Sequence, residues 1–418
     1  MNTVKRSLLF FVIALSIVVN ARQGQAAVLS SPKGQSGVDL ENVKADVQFG
    51  EQILFTATIK ALIPIQSVSI MIIDESQALS RLEPLTVQSD GRAEFRLDTK
   101  QTILRPFTNV TWSYQVTLSD GSTVQSDSFS VRYVDNRFNW QTLESGTLRV
   151  NWYDGDANFG QAALNAVQSG LQSTSRLMAL DLASPIDVYI YASADDLRGT
   201  LFSGGEDWVA GHANPALGVV MVVVEPGAEQ NITMEQRIPH ELMHVMMYRS
   251  VGVGYNNIPA WLREGMATLA EVFPNADYDR ILANAAAGNS LIPIKDLCES
   301  FPADAGTAFL AYAESRSFTK YLHDTHGSTG LLNLAAFYAD GVECERGTER
   351  AFSVSLSNLE MQWRSSVLGQ NTFLPALQNI APYLVLLCLV LIIPLIGMVS
   401  ARRKKGKPNE PETFVRKQ

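Results

Sequence analysis

Two short stretches gather the side chains of this sequence that could do chemistry together. The first is Pro239-His240-Glu241-Leu242-Met243-His244; the second, twenty residues on, is Pro259-Ala260-Trp261-Leu262-Arg263-Glu264-Gly265. On a helix, positions four apart share a face, so His240 and His244 can offer two imidazoles to one metal ion. Glu241 falls one step round, where its carboxylate reaches a metal-bound water rather than the metal. Catalytic zinc takes three protein ligands and keeps a fourth position for water, and two His with one Glu is a known set. Glu264 is the candidate third ligand. One Zn2+ per chain held in this way would lower the pKa of its water, and Glu241 is placed to take the proton as general base. The flanking Leu242, Met243, Val245, Met246 and Met247 are apolar, as a buried active-site helix requires.

Pro239 makes the start of that helix matter. If the helix begins near Thr233, where Thr233 and Gln236 form a capping-box pattern, Pro239 lies inside it and should kink it. If the helix begins at about Ile238, Pro239 sits in the first turn at no cost.

Taken together, these residues resemble the gluzincin metallopeptidases, and more closely the bacterial peptidase MA-like domains. Those carry H-E-x-x-H on one helix and W-L-x-E-G-x-A on the next, matched here by Trp261-Leu262-Arg263-Glu264-Gly265-Met266-Ala267. A third segment, Ala311-Tyr312-Ala313-Glu314-Ser315 leading into Phe318-Thr319-Lys320-Tyr321-Leu322, is also similar. The resemblance covers about residues 140–368 and implies a zinc-dependent metallopeptidase acting on a peptide or protein substrate. It implies that Tyr312 donates a hydrogen bond to the oxyanion of the tetrahedral intermediate. It also sets the third ligand on Glu264 rather than on Glu271, which shares the face but lies two turns farther on. The G-x-M-E-N strand that anchors substrate in the aminopeptidase branch is missing, which argues against exopeptidase action. Peptide hydrolysis is favoured over ester hydrolysis, because Glu241 could pass its proton to a poor amine leaving group. The competing reading, from another class, is a non-catalytic cell-surface adhesin or sensor whose peptidase-like part is a zinc-stabilised scaffold.

The elements that must position these residues follow from pattern. The expected fold is multidomain. An all-β immunoglobulin-like sandwich (38–135) precedes an α+β zincin-like metallopeptidase domain with a helical C-terminal subdomain (140–368). In the first, short runs such as Gln52–Ile59, Val68–Ile73 and Thr111–Leu118 are rich in β-branched and aromatic residues, with Asp90-Gly91 and Asp120-Gly121 as hairpin signals. In the second, Leu148–Trp152 and Ile186–Tyr191 read as strands and Phe159–Leu180 as an amphipathic helix. The run Gly211–Val224 is placed to pair with an extended substrate, or else its apolar stretch Val219–Val224 is an interior strand and Gly211-His212-Ala213 a simple loop. Gly252–Asn257 reads as a loop, and Pro259 as the first turn of the second motif's helix.

Composition limits the remaining choices. The chain has 418 residues and a formal net charge of −9, which argues against nucleic acid as a partner. Residues 1–26 read as a signal peptide, with Lys5 and Arg6 ahead of an apolar Leu8–Val19, an uncleaved anchor being the alternative. The uncharged run 380–399 has the length of a bilayer-crossing helix, and the basic stretch from Arg402 to Lys407 heads a cytoplasmic tail at 400–418. On this reading the protein is a single-pass type I cell-membrane protein, its catalytic domain extracellular and the lipid bilayer a partner through the C-terminal helix. Cys388 falls within that run, leaving Cys298 and Cys344 either as one disulfide or as two buried thiols. His323 and His326, beside Asp324, read as a solvated helix end ahead of Gly327.

Overall fold

The computed structural model describes residues 37–77, 79–201, 211–370 and 381–392. Residues up to Leu356 form one compact unit and those from Ser357 onward a second.

The first unit opens with eight strands in two antiparallel sheets. They are β1 (Val38–Gln48), β2 (Gln52–Ala61), β3 (Ile65–Asp74), β4 (Leu79–Leu85), β5 (Arg92–Asp98), β6 (Asn109–Leu118), β7 (Thr123–Gln125) and β8 (Phe129–Arg132). One sheet runs β1-β2-β5; the other runs β4-β3-β6-β7, with β8 also on β6. Alternation along β2 buries Ile53, Phe55, Ala57 and Ile59, and they share a core with Val68, Ile70 and Ile72 of β3 and Val110, Trp112, Tyr114 and Val116 of β6. Asp120-Gly121 makes the β6–β7 turn, Gly121 taking the positive φ of 83° that favours glycine.

A mixed sheet follows. Its strands are β9 (Gln141–Ser145), β10 (Leu148–Trp152), β11 (Ile186–Tyr191), β12 (Gly211–Asn214) and β13 (Val219–Val223). Their order is β12-β13-β11-β10-β9, with β10, β11 and β13 parallel and the two outer strands antiparallel to their neighbours. Helices α1 (Ala157–Thr174) and α2 (Ala194–Leu201) belong to the crossovers that parallel pairing demands. α3 (Gln230–Val251), α4 (Ala260–Ala270), α5 (Asp277–Ala287), α6 (Ala305–Ala339) and α7 (Cys344–Phe352) complete the unit. α8 (Leu356–Ser366) begins at the boundary of the second unit.

Each face of the mixed sheet has its own cover. Val188, Ile190, Val220 and Val222 lie on the face that receives α1 and α3, where Trp152 packs against Gly160 of α1. Tyr189, Tyr191, Val219, Met221 and Val223 lie on the other, in one cluster with Leu197 of α2 and Phe107 of the sandwich. The Phe107 ring stacks on Tyr189 with centroids 3.6 Å apart. Buried Asp187, at the start of β11, takes both Arg149 of β10 and Arg132 of β8. Fully buried Asp135 accepts hydrogen bonds from Arg137 (2.7 Å), Thr200 (2.9 Å) and Tyr191 (3.2 Å). The sandwich is thus clamped to the sheet by stacked rings and by shared, paired acids.

Pro239 does lie inside α3. An interior proline removes one helical hydrogen bond and costs about 3 kcal/mol, so its surroundings must compensate. Its ring fits against Gly170 of α1, where an added Cβ would come within 2.9 Å of Pro239 Cγ. Gly265 plays the same part between α4 and α6: a Cβ there would meet Thr319 Oγ1 and lie 2.6 Å from the Ser315 carbonyl oxygen. Cys298 and Cys344 form a disulfide, and the Cys298 carbonyl accepts from the Ala260 amide at 2.9 Å, at the start of α4.

One part of the expected fold is corrected. Among the described residues no helix is long and apolar enough to cross a membrane. Within 380–399 the described residues are 381–392, which are helical; the others lie outside the described residues. The single-pass extracellular placement and the bilayer as a partner rested on that span and fall with it. The signal peptide (1–26) and the basic tail (400–418) lie outside the described residues.

Candidate metal centre

α3 and α4 bring the two motifs together. The Nε2 atoms of His240 and His244 lie 3.3 and 3.6 Å from Glu264 Oε2. One ligand atom from each of the three falls within 4.8 Å of every other, and among the described residues this is the one such group of His, Cys, Asp and Glu. The four-residue helical spacing supplies the two imidazoles. Close crossing of α4 and α6 at Gly265 sets the depth at which the neighbouring Glu264 meets them.

Both imidazoles are held from behind. His240 Nδ1 lies 3.1 Å from Glu271 Oε1, and His244 Nδ1 lies 2.9 Å from the Tyr255 hydroxyl. Groups of this kind fix the tautomer and ring plane of a metal-binding His, leaving Nε2 for the ion. Glu271 is therefore a partner of His240 on the far side from Glu264. Tyr255 was not legible as a site residue: Gly252–Asn257, read as a loop, is a short 3-10 helix that turns its ring to His244.

Electrostatics sharpen the picture. Burial works against charge on Glu264, yet His244 and His240 outweigh it and bring the carboxyl down to about 2. Burial also disfavours a charged His240, but the Glu264 and Glu271 carboxylates overcome it and raise that imidazole well above its ordinary value. Burial alone dominates at His244, which falls to about 4. The pocket thus gathers buried negative charge around two Nε2 atoms, and a cation among them would satisfy the same demand as the proton on His240. Donor types, convergence and supporting partners all fit a divalent metal with nitrogen and oxygen ligands.

Glu241 stands beside this group, buried, and burial pushes its carboxyl up to about 7, with Glu264 and Glu271 adding to the rise. β12 passes directly over it, where a Cβ on Gly211 would lie 2.5 Å from Glu241 Oε1. His212 pairs with Met221 on the opposite face of β12 from Gly211 and is not one of the convergent group. The Tyr312 ring, on α6, lies 6.0 Å from that of His240, edge-on to Phe301. Burial, and then the charges of Glu264 and Glu241, raise its phenol well above the ordinary range and keep it a hydrogen-bond donor. His323 and His326 take no part: the first contacts Ser328 Oγ at 3.2 Å and the second stacks on Phe352.

These features define a largely buried cluster of two His and one Glu that could hold a metal ion, with an acid beside it. Residues 166–369, which include every one of these residues, match the family model of the Peptidase MA superfamily. The resemblance read from the motifs is borne out over that segment, and the match supports a peptidase-like function for it. No curated protein matches the chain. Three solved structures may be named by similarity. A mutant M1 zinc metallopeptidase from Deinococcus radiodurans is 12% identical, with a TM-score of 0.34 over 80% of this chain and 95% of its own. Wild-type OgpA from Akkermansia muciniphila is 21% identical, with a TM-score of 0.20 over 24% of this chain and 30% of its own. A family 56 carbohydrate-binding module, a β-1,3-glucan binding domain, is 14% identical, with a TM-score of 0.17 over 22% of this chain and 99% of its own. None of these scores is high enough to assert a shared fold.

Proposed function

We propose that the protein is a zinc-dependent metallopeptidase that hydrolyses peptide bonds. The observation that carries this reading is the convergence of His240, His244 and Glu264 beside a buried Glu241. A zinc ion held by the three would supply Lewis acidity and a water acidic enough to ionise near neutral pH.

The remaining work falls to the chain itself. Glu241 takes a proton from the attacking water and returns it to the departing amine; a carboxyl pushed up to about 7 suits both halves of that exchange. Tyr312 donates its hydroxyl proton in a hydrogen bond to the carbonyl oxygen as charge develops there. β12, at the edge of its sheet, offers backbone N–H and C=O groups to an extended peptide, and Gly211 brings that peptide close to Glu241. Glu271 and Tyr255 keep the two imidazoles oriented.

The test is cleavage of a mixed peptide library by the purified protein, with and without a chelator. Cleavage should stop with chelator, return with Zn2+, and fall by at least about a hundredfold in Glu241→Gln. A zinc content near zero, or cleavage unchanged in Glu241→Gln, overturns the reading. Bound zinc without any cleavage leaves the alternative, a zinc-stabilised scaffold that binds rather than cuts.

A further inference from the structure

Pro239 leaves residue 239 with no N–H to give the Glu235 carbonyl one turn earlier in α3. That carbonyl has other donors. The Val272 and Phe273 amides approach the Glu235 oxygen at 3.0 and 3.3 Å, using the two lone pairs a backbone carbonyl provides. These two residues directly follow Glu271, where the chain leaves α4 with extended backbone (φ −54°, ψ 125°). Glu271 in turn meets Nδ1 of His240, the residue next to Pro239.

The contacts close a ring, running from Pro239 to Glu235, across to Val272 and Phe273, back through Glu271 to His240, and so to Pro239 again. An ordinary residue at 239 would place its N–H on the Glu235 carbonyl in helical geometry and compete with both incoming amides. The residues just past α4 would then lose their backbone bonds to α3, and Glu271 would lose its fixed position behind the imidazole.

We propose that Pro239 is a positioning residue for the metal centre: by withholding one N–H it lets the Glu235 carbonyl anchor Val272 and Phe273 and so hold Glu271 against His240. This rests on the metal-binding reading above, and it adds a backbone device that sets the orientation of one ligand.

The experiment compares the parent with Pro239→Ala and Pro239→Val, both of which restore the N–H, Val keeping more of the bulk that meets Gly170. Hydrogen exchange of the Val272 and Phe273 amides is followed in metal-free protein, and the Zn2+ dissociation constant is measured against a competing chelator. Both variants should exchange those amides at least about tenfold faster and bind Zn2+ about 10- to 100-fold more weakly. Glu271→Gln should weaken Zn2+ similarly, and adding Pro239→Ala to it should cost little more, since the two act through one path. A merely structural proline predicts a higher melting temperature in Pro239→Ala from better helix propensity, with exchange and Zn2+ affinity unchanged; that result overturns the proposal. So does strict additivity with Glu271→Gln. A parent that binds no Zn2+ overturns the metal reading and the proposal together, whereas unchanged exchange beside tight Zn2+ binding overturns the proposal alone.

Discussion

The hydroxyl of Tyr255 lies 2.9 Å from Nδ1 of His244, so a residue from the connection between the two site helices holds the second imidazole. When Nε2 takes a metal ion, Nδ1 carries the ring proton and the Tyr255 oxygen accepts it. Tyr255→Phe should therefore weaken Zn2+ binding about tenfold or more while leaving the melting temperature of the metal-free protein nearly unchanged. A chelator competition titration checks the first and a thermal scan the second.

Glu264 and Glu271 both approach His240, but from opposite sides of its ring. Glu264→Gln should abolish stoichiometric zinc, and Glu271→Gln should retain zinc at about 10- to 100-fold lower affinity. Metal analysis after dialysis separates the two. The reverse pattern would mean that the ligand and its supporting partner have been exchanged.

Gly211→Ala introduces a methyl group 2.5 Å from Glu241 Oε1, and the glutamate must move to admit it. Displacing a catalytic group by about 1 Å can cost on the order of a hundredfold in rate. The expected result is a fall in kcat of that order with zinc content intact, read from initial rates and metal analysis on the same sample.

Gly265→Ala acts on the scaffold. Its methyl would meet the Ser315 carbonyl oxygen at 2.6 Å, and that backbone atom cannot rotate away. Overpacking of this kind costs about 1–3 kcal/mol, so the melting temperature should drop by several degrees. Trimming Thr319 to Ala in the same chain should recover only part of the loss, since Ser315 stays in place.

Much of the site was legible in the sequence because its spacing is helical. Four residues on α3 fix two imidazoles on one face, and the tryptophan motif on α4 singles out Glu264. The long strands were legible for a related reason: β2, β3, β6, β11 and β13 carry enough β-branched and aromatic residues to announce themselves. Shorter elements were not. β12 has four residues, Gly-His-Ala-Asn, whose strand character comes from pairing with β13 rather than from propensity. Tyr255 sits in a six-residue 3-10 helix, too short for a periodicity to read. The Glu235 anchor is a backbone contact between residues far apart in the chain, and no side-chain pattern records it. At the C-terminal end the expected span is not supported: among the described residues no helix is long and apolar enough to cross a membrane.

Asp187 carries a consequence of its own. It begins the central strand of the mixed sheet and is shared by one arginine from the neighbouring strand and one from the sandwich. Severing the chain ahead of β9 would leave this buried acid with half its neutralising charge and strip the Phe107 ring from Tyr189. The mixed sheet would then expose an aromatic flank and a once-shared acid to water, so the sandwich acts as part of that sheet's own core.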